Sequence, residues 1–311
     1  MSAMQPRAMS HEPRAALHAA AKLMARSSQL VAYIGLSTAL NAQESHIPLH
    51  DGWIFCQAGK EQWYTAEVPG VVQTDLLRHG LIPDFYKGSN IDSVQWIENE
   101  DWIYKRTIVA NDSLLKHGHV DLVFKGLDTF AEVHLNDSLL GKADNMFRTW
   151  EWPIKEKLKP GTNELKVIFR SPIKEGAKLR DAYGIQLPHD NDPSGVSPYI
   201  RKAAYQFGWD FCPRLVTSGI WQGVELRGWN KMRITDVVTK KQVINGKVEL
   251  GVGVQTTLMS DTNFLIAIEF NGDRKVVPPT GEDVGTVEYF PVDKPKLWNP
   301  GTTPANGLYP L

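Results

Sequence analysis

The chain has 311 residues, 42% hydrophobic and 22% charged, and its 34 basic and 35 acidic side chains leave a formal charge of -1. That is too apolar for a disordered chain and too evenly charged for a nucleic-acid binder that works by neutralising phosphates, and two cysteines are too few for a disulfide framework or a cysteine-rich zinc site. The length fits about two domains, and the 10 Trp, 9 Tyr and 11 Phe, with flat amphipathic rings, suit sandwich cores and sugar-stacking surfaces, so composition predicts a soluble protein with a neutral partner.

Residues 1–42 read as a leader. Arg7, Arg14, Lys22 and Arg26 outweigh Glu12, an apolar run follows from Leu30 to Leu40, and the segment ends in Asn41-Ala42. A basic region, a short apolar run and small residues are the marks of a secretory signal peptide. The run is too short to span a bilayer, which needs about 20 apolar residues, so no membrane span is expected. Met24 would begin a compact leader, Met24-Ala25-Arg26. Export implies a periplasmic or extracellular location, or a lysosomal one in an animal cell. It would also permit a disulfide, although the sequence does not say whether Cys56 and Cys212 meet.

The residues from 43 onward read as strands separated by turns. One short helix is predicted from Val71 to His79, stopped by Gly80. Trp102–Ala110 alternates, with Trp102, Tyr104 and Ile108 on one face, and so do Val120, Leu122 and Phe124, then Ala131, Val133 and Leu135, then Leu165, Val167 and Phe169. Period-two alternation marks half-buried strands. Turn residues separate them at Gly126-Leu127-Asp128, Asn136-Asp137 and Pro160-Gly161-Thr162-Asn163. Short alternating strands without intervening helices predict an antiparallel sandwich rather than a doubly wound sheet.

Between Ser171 and Pro213 the pattern changes to a long, weakly periodic stretch rich in Pro, Gly and Asp, including His189 to Gly195. Structureless connections of this length in a compact domain are usually functional or disordered. It leads into residues 207–221, which hold Trp209, Asp210, Arg214 and Trp221 within a short span. An Asp beside a Trp can accept hydrogen bonds from sugar hydroxyls while the indole supplies an apolar platform. The plainer alternative is that both tryptophans are core residues and Asp210 caps a turn.

A second β module starts near Lys231. Asn245-Gly246 and Asn271-Gly272 are type I′ hairpin signals, and Val248, Leu250, Val252 and Val254 alternate between them as in an immunoglobulin-like sheet. The chain stops at Tyr309-Pro310-Leu311 without an obvious closing strand pair, so this domain is expected to be incomplete.

Catalytic motifs are scarce. No nucleophile elbow, zincin, P-loop or dinucleotide signature occurs. Glu98, Glu100 and Asp101 cluster, as do Asp190 and Asp192, and such loop clusters read as solvated faces with nothing nearby to raise one carboxyl's pKa. Asp190 and Asp192 lack the rest of a calcium loop. His46, His50 and His189 show no metal-ligand spacing, so neither metal nor cofactor is expected. Asn111-Asp112-Ser113 and Asn136-Asp137-Ser138 are glycosylation sequons, meaningful in a glycosylating host.

Several segments together resemble the N-terminal half of the β-mannosidases of glycoside hydrolase family 2. Leu49-His50-Asp51-Gly52-Trp53 resembles the family's opening strand, and Val68-Pro69-Gly70 with the following helix resembles its next signature. Residues 126–137 and 144–154 are similar to the sugar-binding sandwich. The most specific block is 207–221, which resembles the family's Gly-Trp-Asp-Trp-Gly-Pro…Ser-Gly-Ile-Trp run, with Phe211 and Cys212 where the family has Trp and Gly, and an atypical Gln222-Gly223 after it.

The resemblance implies an all-β architecture. Residues 43–230 would form a jelly-roll, galactose-binding-like β-sandwich and residues 231–311 a truncated immunoglobulin-like sandwich. In the family a catalytic (β/α)8 barrel follows and carries both glutamates of a retaining mechanism, so no catalytic residue is expected in this chain. The barrel would be its missing partner and a β-mannoside its ligand. Trp209 and Asp210 are carried over as substrate-binding residues, the Asp bonding hydroxyls of the terminal sugar. The implied function is the sugar-binding and immunoglobulin-like part of an exo-acting β-mannosidase, inactive alone. The alternatives are a free-standing carbohydrate-binding module or a docking module. For the leader, N-terminal sequencing of secreted protein is expected to begin after Ala42, and an N-terminus upstream of Met24 overturns that assignment.

Overall fold

A computed structural model describes residues 30–35, 44–189, 191–258, 265–278, 285–293 and 295. It divides into two units, one of residues 45–228 and one combining the segment up to Glu44 with residues from Trp229 onward. Strands are numbered in chain order. β1 (Leu30–Gly35) belongs to the second unit; the first contains β2 (Ser45–Pro48), β3 (Ile54–Gln57), β4 (Tyr64–Thr65), β5 (Trp102–Ala110), β6 (His119–Phe124), β7 (Phe130–Leu135), β8 (Ser138–Asp144), β9 (Trp150–Pro153), β10 (Gly161–Phe169) and β11 (Val224–Trp229), the last ending at the boundary.

The first unit is a sandwich of a six-stranded sheet, order β4-β3-β5-β10-β7-β8, and a four-stranded sheet, order β2-β11-β6-β9. The pairings within the larger sheet are antiparallel. Register aligns the inward residues: Tyr104 lies opposite Val167, which lies opposite Val133. These join Trp53, Phe55, Leu122, Phe124, Leu165 and Phe169 in one core, and each such side chain contributes about 1.5–3 kcal/mol by leaving water. Tyr104 packs edge-on against Phe169 at 5.7 Å between ring centroids. The alternation read from β5, β7 and β10 is the burial pattern of those strands. In β6, however, Asp121 and Val123 are buried as well, so both faces of that strand are covered rather than one. Leu49 to Trp53 is a connection between β2 and β3 rather than a strand, and the Trp53 indole donates back to the Leu49 carbonyl at 2.7 Å.

The predicted first helix spans Val72–Arg78. It carries Asp75, fully buried, whose carboxylate accepts from the Tyr104 hydroxyl at 3.0 Å, the Glu67 amide at 3.0 Å and Arg78 at 2.7 Å. Burial raises the Asp75 carboxyl above its ordinary 3.8 despite those donors.

The stretch after Ser171 is not structureless. It opens with a helix, Pro172–Tyr183, started by the Ser171 side chain accepting from the Lys174 amide and by Pro172 in the first turn, and ended by Gly184 at φ 73°. The helix buries only Pro172 and Gly176, so no apolar stripe of helical period marks it in the sequence. Gly176 is there because a Cβ would sit 2.7 Å from the Val196 Cβ and 3.3 Å from Ile200.

In the second unit β12 (Met232–Ile244), β13 (Lys247–Leu258) and β16 (Thr286–Pro291) form one three-stranded sheet, and β1, β14 (Leu265–Phe270) and β15 (Asp273–Val277) form another. Val252, Val254, Ile266, Ile268, Phe270 and Phe290 make its core. Both Asn-Gly pairs take the positive φ expected of them, 51° and 76° at Asn245-Gly246 and 51° and 87° at Asn271-Gly272. Part of the apolar run read as a leader is β1, paired antiparallel with β14 from Leu30–Phe270 to Gly35–Leu265. Met24, Ala42 and Tyr309–Leu311 lie outside the described residues. Among the described residues no helix is long and apolar enough to cross a membrane, and Cys56 and Cys212 are free thiols.

Gly176→Ala is expected to lower stability by about 1–3 kcal/mol, the usual cost of overpacking, measured by denaturant unfolding. Because Asp75 has a raised folded pKa, its favourable contribution is complete below the unfolded value of 3.8 and is lost as pH rises through the raised value. The stability of the wild type relative to Asp75→Asn should therefore fall as pH rises above 3.8; a constant difference would contradict the raised pKa.

Candidate functional site

The block at 207–221 builds a tight hairpin. The Trp209 amide donates to the Cys212 carbonyl at 3.0 Å and the Cys212 amide returns a bond to Trp209 at 3.1 Å, which leaves Asp210 and Phe211 as a two-residue tip. Gly208, at φ 111°, lets the chain enter the hairpin, and a Cβ there would meet the Asn191 carbonyl at 3.0 Å. Trp209 is 52% exposed and Phe211 88% exposed. The Asp210 side chain is exposed and makes no hydrogen bond or ion pair among the described residues. Neither Phe211 nor Cys212 has a positive φ, so Cys212 occupies the place of the family's glycine without backbone strain.

This turn carries an exposed carboxylate, without a partner among the described residues, flanked in sequence by two exposed aromatic residues. A carboxylate accepts from two neighbouring hydroxyls at once, and an indole face covers the apolar C–H face of a sugar ring. Trp209 is therefore a surface residue, against the plainer reading of it as core. Trp221 follows that reading instead: it is half-buried, its indole donates to the Met146 carbonyl at 3.1 Å, and Gly126 leaves room for its ring.

Behind the turn lies a group of buried charges. Arg214 donates to Glu98 at 2.6 Å, to Asp192 at 3.0 Å and to the Phe207 carbonyl at 3.3 Å, with its guanidinium 5.4 Å from the Phe207 ring centroid. Asp192 in turn accepts from the amides of Ser194, Val196 and Ser197 at 2.8–2.9 Å. Burial opposes the charge on Asp192, but the donors outweigh it and hold the carboxyl below its ordinary value. In Glu98 burial wins over Arg214 and the carboxyl is raised. A second pair, Lys202 with Asp128, is almost fully buried; Lys202 also donates to the Thr217 carbonyl at 2.7 Å, and the Thr217 hydroxyl bonds Asp128 at 2.6 Å.

The acidic clusters thus differ from the solvated faces expected of them. Glu98 and Asp192 are buried partners of Arg214, and Asp101 binds Arg170 at 2.9 Å and the Ser171 amide at 2.8 Å. Burial raises the Glu98 carboxyl, and the Ser194, Ser197 and Val196 donors lower that of Asp192; neither the burial nor the Arg214 partner shared by the two is visible to short-range inspection. Asp190 lies outside the described residues. His46 bonds Glu225 at 3.2 Å and His189 the Asp192 carbonyl at 3.0 Å, and among the described residues no group of three His, Cys, Asp or Glu side chains is placed to hold a metal. Lys202, Asp128 and Thr217 were not legible as a group, because a Lys next to Arg201 reads as a surface pair, and only its burial in the fold requires a carboxylate.

Known proteins share this frame. Residues 53–222 match the model of the glycosyl hydrolase 2 galactose-binding domain-like family. The chain is 33% identical over 283 residues to β-mannosidase B of Thermothelomyces thermophilus, covering 85% of this chain and 32% of that one, and 29% identical over 264 residues to β-mannosidase B of Aspergillus terreus (81% and 31%). The crystal structure of a β-D-mannosidase from Dictyoglomus thermophilum aligns with a TM-score of 0.75 at 35% identity, over 83% of this chain and 32% of that one. The exo-chitosanase CsxA of Amycolatopsis orientalis aligns with a TM-score of 0.54 at 15% identity, a likeness of fold alone. The chain spans about a third of the length of these β-mannosidases. With the match covering more than half of its residues, and the sandwich in place beneath it, the chain belongs to the galactose-binding-like domain family of the glycoside hydrolase 2 enzymes.

Proposed function

We propose that this chain is the sugar-binding and immunoglobulin-like part of an exo-acting, retaining β-mannosidase. The reaction would take place on a catalytic barrel that supplies both glutamates, and this chain's share is to bind and orient the terminal β-mannose. The exposed Trp209 beside the unpaired Asp210, on a turn braced by buried ion pairs, carries this reading. Asp210 would accept from hydroxyls of the terminal sugar and Trp209 would cover its apolar face, holding the ring while the glycosidic bond is broken elsewhere. The leader-like composition of residues 1–42 supports export to the periplasm, the extracellular space or a lysosome.

A second reading, a free-standing carbohydrate-binding or docking module, draws support from the single continuous core of the Ser45–Gly228 unit. Calorimetry separates the two. As one half of an enzyme site the chain should give no measurable heat with mannose, whereas saturable heat favours the module. The enzyme reading is tested by replacing the matching N-terminal third of the Thermothelomyces β-mannosidase B with residues 45–295 and assaying an aryl β-mannoside. Turnover is expected, and Asp210→Ala should lower kcat/KM about 10²-fold, the scale of a lost hydrogen bond to a charged group. An active chimera indifferent to Asp210→Ala would refute the assignment.

A further inference from the structure

Arg214 reaches three separate segments of chain from one guanidinium. Its Nη2 donates to Glu98 Oε1 at 2.6 Å, in the segment before β5; its Nη1 donates to Asp192 Oδ1 at 3.0 Å and to the Phe207 carbonyl at 3.3 Å. Its own carbonyl accepts from the Gln95 side chain at 3.0 Å. Phe207 stands two residues before Trp209 and Arg214 two residues after Cys212, so the guanidinium ties the two legs of the hairpin to each other. The Leu215 amide closes the same base by donating to the Gln206 carbonyl at 2.9 Å, and the Thr217 amide reaches the Gln206 side chain at 3.2 Å.

We propose that Arg214 is the positioning residue of the sugar-binding turn, setting the depth and angle at which Trp209 and Asp210 are presented without touching the sugar itself. The inference rests on the reading that this turn binds the terminal sugar. Its physical basis is the shape of the donor. A planar guanidinium offers several N–H groups in fixed directions and can hold Glu98, Asp192 and a backbone carbonyl together, whereas an ammonium is a point charge on a flexible stem and cannot keep all three in one plane. The anchors are themselves fixed: Asp192 by three backbone amides and the Ser194 hydroxyl at 2.5 Å, and the segment of Glu98 by the Ser171 hydroxyl donating to the Glu98 carbonyl at 2.7 Å. Among the described residues the tip carries no such ties. Asp210 and Phe211 are exposed, so their orientation is inherited from the base that Arg214 holds.

The test is hydrogen exchange on the 311-residue chain carrying Arg214→Lys, with Leu114→Ala, at a buried position of the main sandwich core, as a variant destabilised outside the segments that Arg214 ties together. In Arg214→Lys the Trp209 and Cys212 amides should exchange at least 10-fold faster relative to the amides of the β5–β10 ladder, while Leu114→Ala should leave that ratio unchanged. Glu98→Gln, which keeps the shape but weakens one arm of the clamp by removing its charge, should shift the ratio in the same direction and covers the case in which Arg214→Lys does not fold. Equal acceleration of turn and ladder in the folded variants, or none, would overturn the proposal. In the chimera the same Arg214→Lys change should raise KM about 10-fold. If Asp210→Ala leaves turnover intact while Arg214→Lys still loosens the turn, the sugar-binding reading fails and the clamp stands; if Asp210→Ala abolishes turnover and the exchange ratio does not move, the clamp alone fails.

Discussion

A guanidinium withdrawn from water has to be met by carboxylates and carbonyls in the right places, and the architecture around the candidate site follows from meeting that demand at Arg214. Breaking a buried ion pair by removing one partner costs about 3–5 kcal/mol, because the remaining charge stays desolvated. Glu98 and Asp192 therefore fix where their two segments meet the hairpin. Val196, Ile200, Phe207 and Val216 form a small buried cluster there, with Phe130, Ile173 and Ala177 packed against it. Lys202 and Asp128 do the same for the segment leading from β6 into β7. The long connection after the Pro172–Tyr183 helix is consequently held by charge and hydrogen bonds, while the sandwich beneath it is held by hydrophobic burial.

That division explains how one protein can show aromatic rings to solvent and remain well packed. Trp53 and Trp221 bury their rings and hand their N–H groups to backbone carbonyls, which is what a buried indole requires. Trp150 and Trp152 stack at 6.0 Å on β9, with Arg148 over the first. Trp209 and Phe211 have no such enclosure, because the hairpin that carries them projects from a polar base. Exposed rings on a rigid support are poised for a ligand at little entropic cost, since a two-torsion side chain on a fixed turn has few conformations to lose.

Much of the fold was legible from residue order alone. Strands β5, β7 and β10 alternate because each has one face on a common core, and the Asn-Gly pairs turn where their positive φ is cheap. The signals that failed are instructive. The Pro172–Tyr183 helix buries just two residues, so hydrophobic periodicity was silent, although Ser171, Pro172 and Gly184 are a start and a stop in the expected places. At the site, the resemblance to a known block pointed to Trp209 and Asp210, but a reading by residue type favoured burial for both tryptophans.

The sequence by itself determined the class of fold, the positions of most strands and turns, and the family to which the chain belongs, since these depend on patterns that repeat within a few residues. Tertiary structure alone decided which tryptophan faces water, which carboxylates of the clusters are buried, and what holds the Trp209–Cys212 turn. Arg214 and Glu98 lie 116 positions apart, and Lys202 and Asp128 lie 74 apart. Pairing across such separations is set by how the sheets bring distant segments together, and the strength of each pair by how completely water is excluded, neither of which is written in local order.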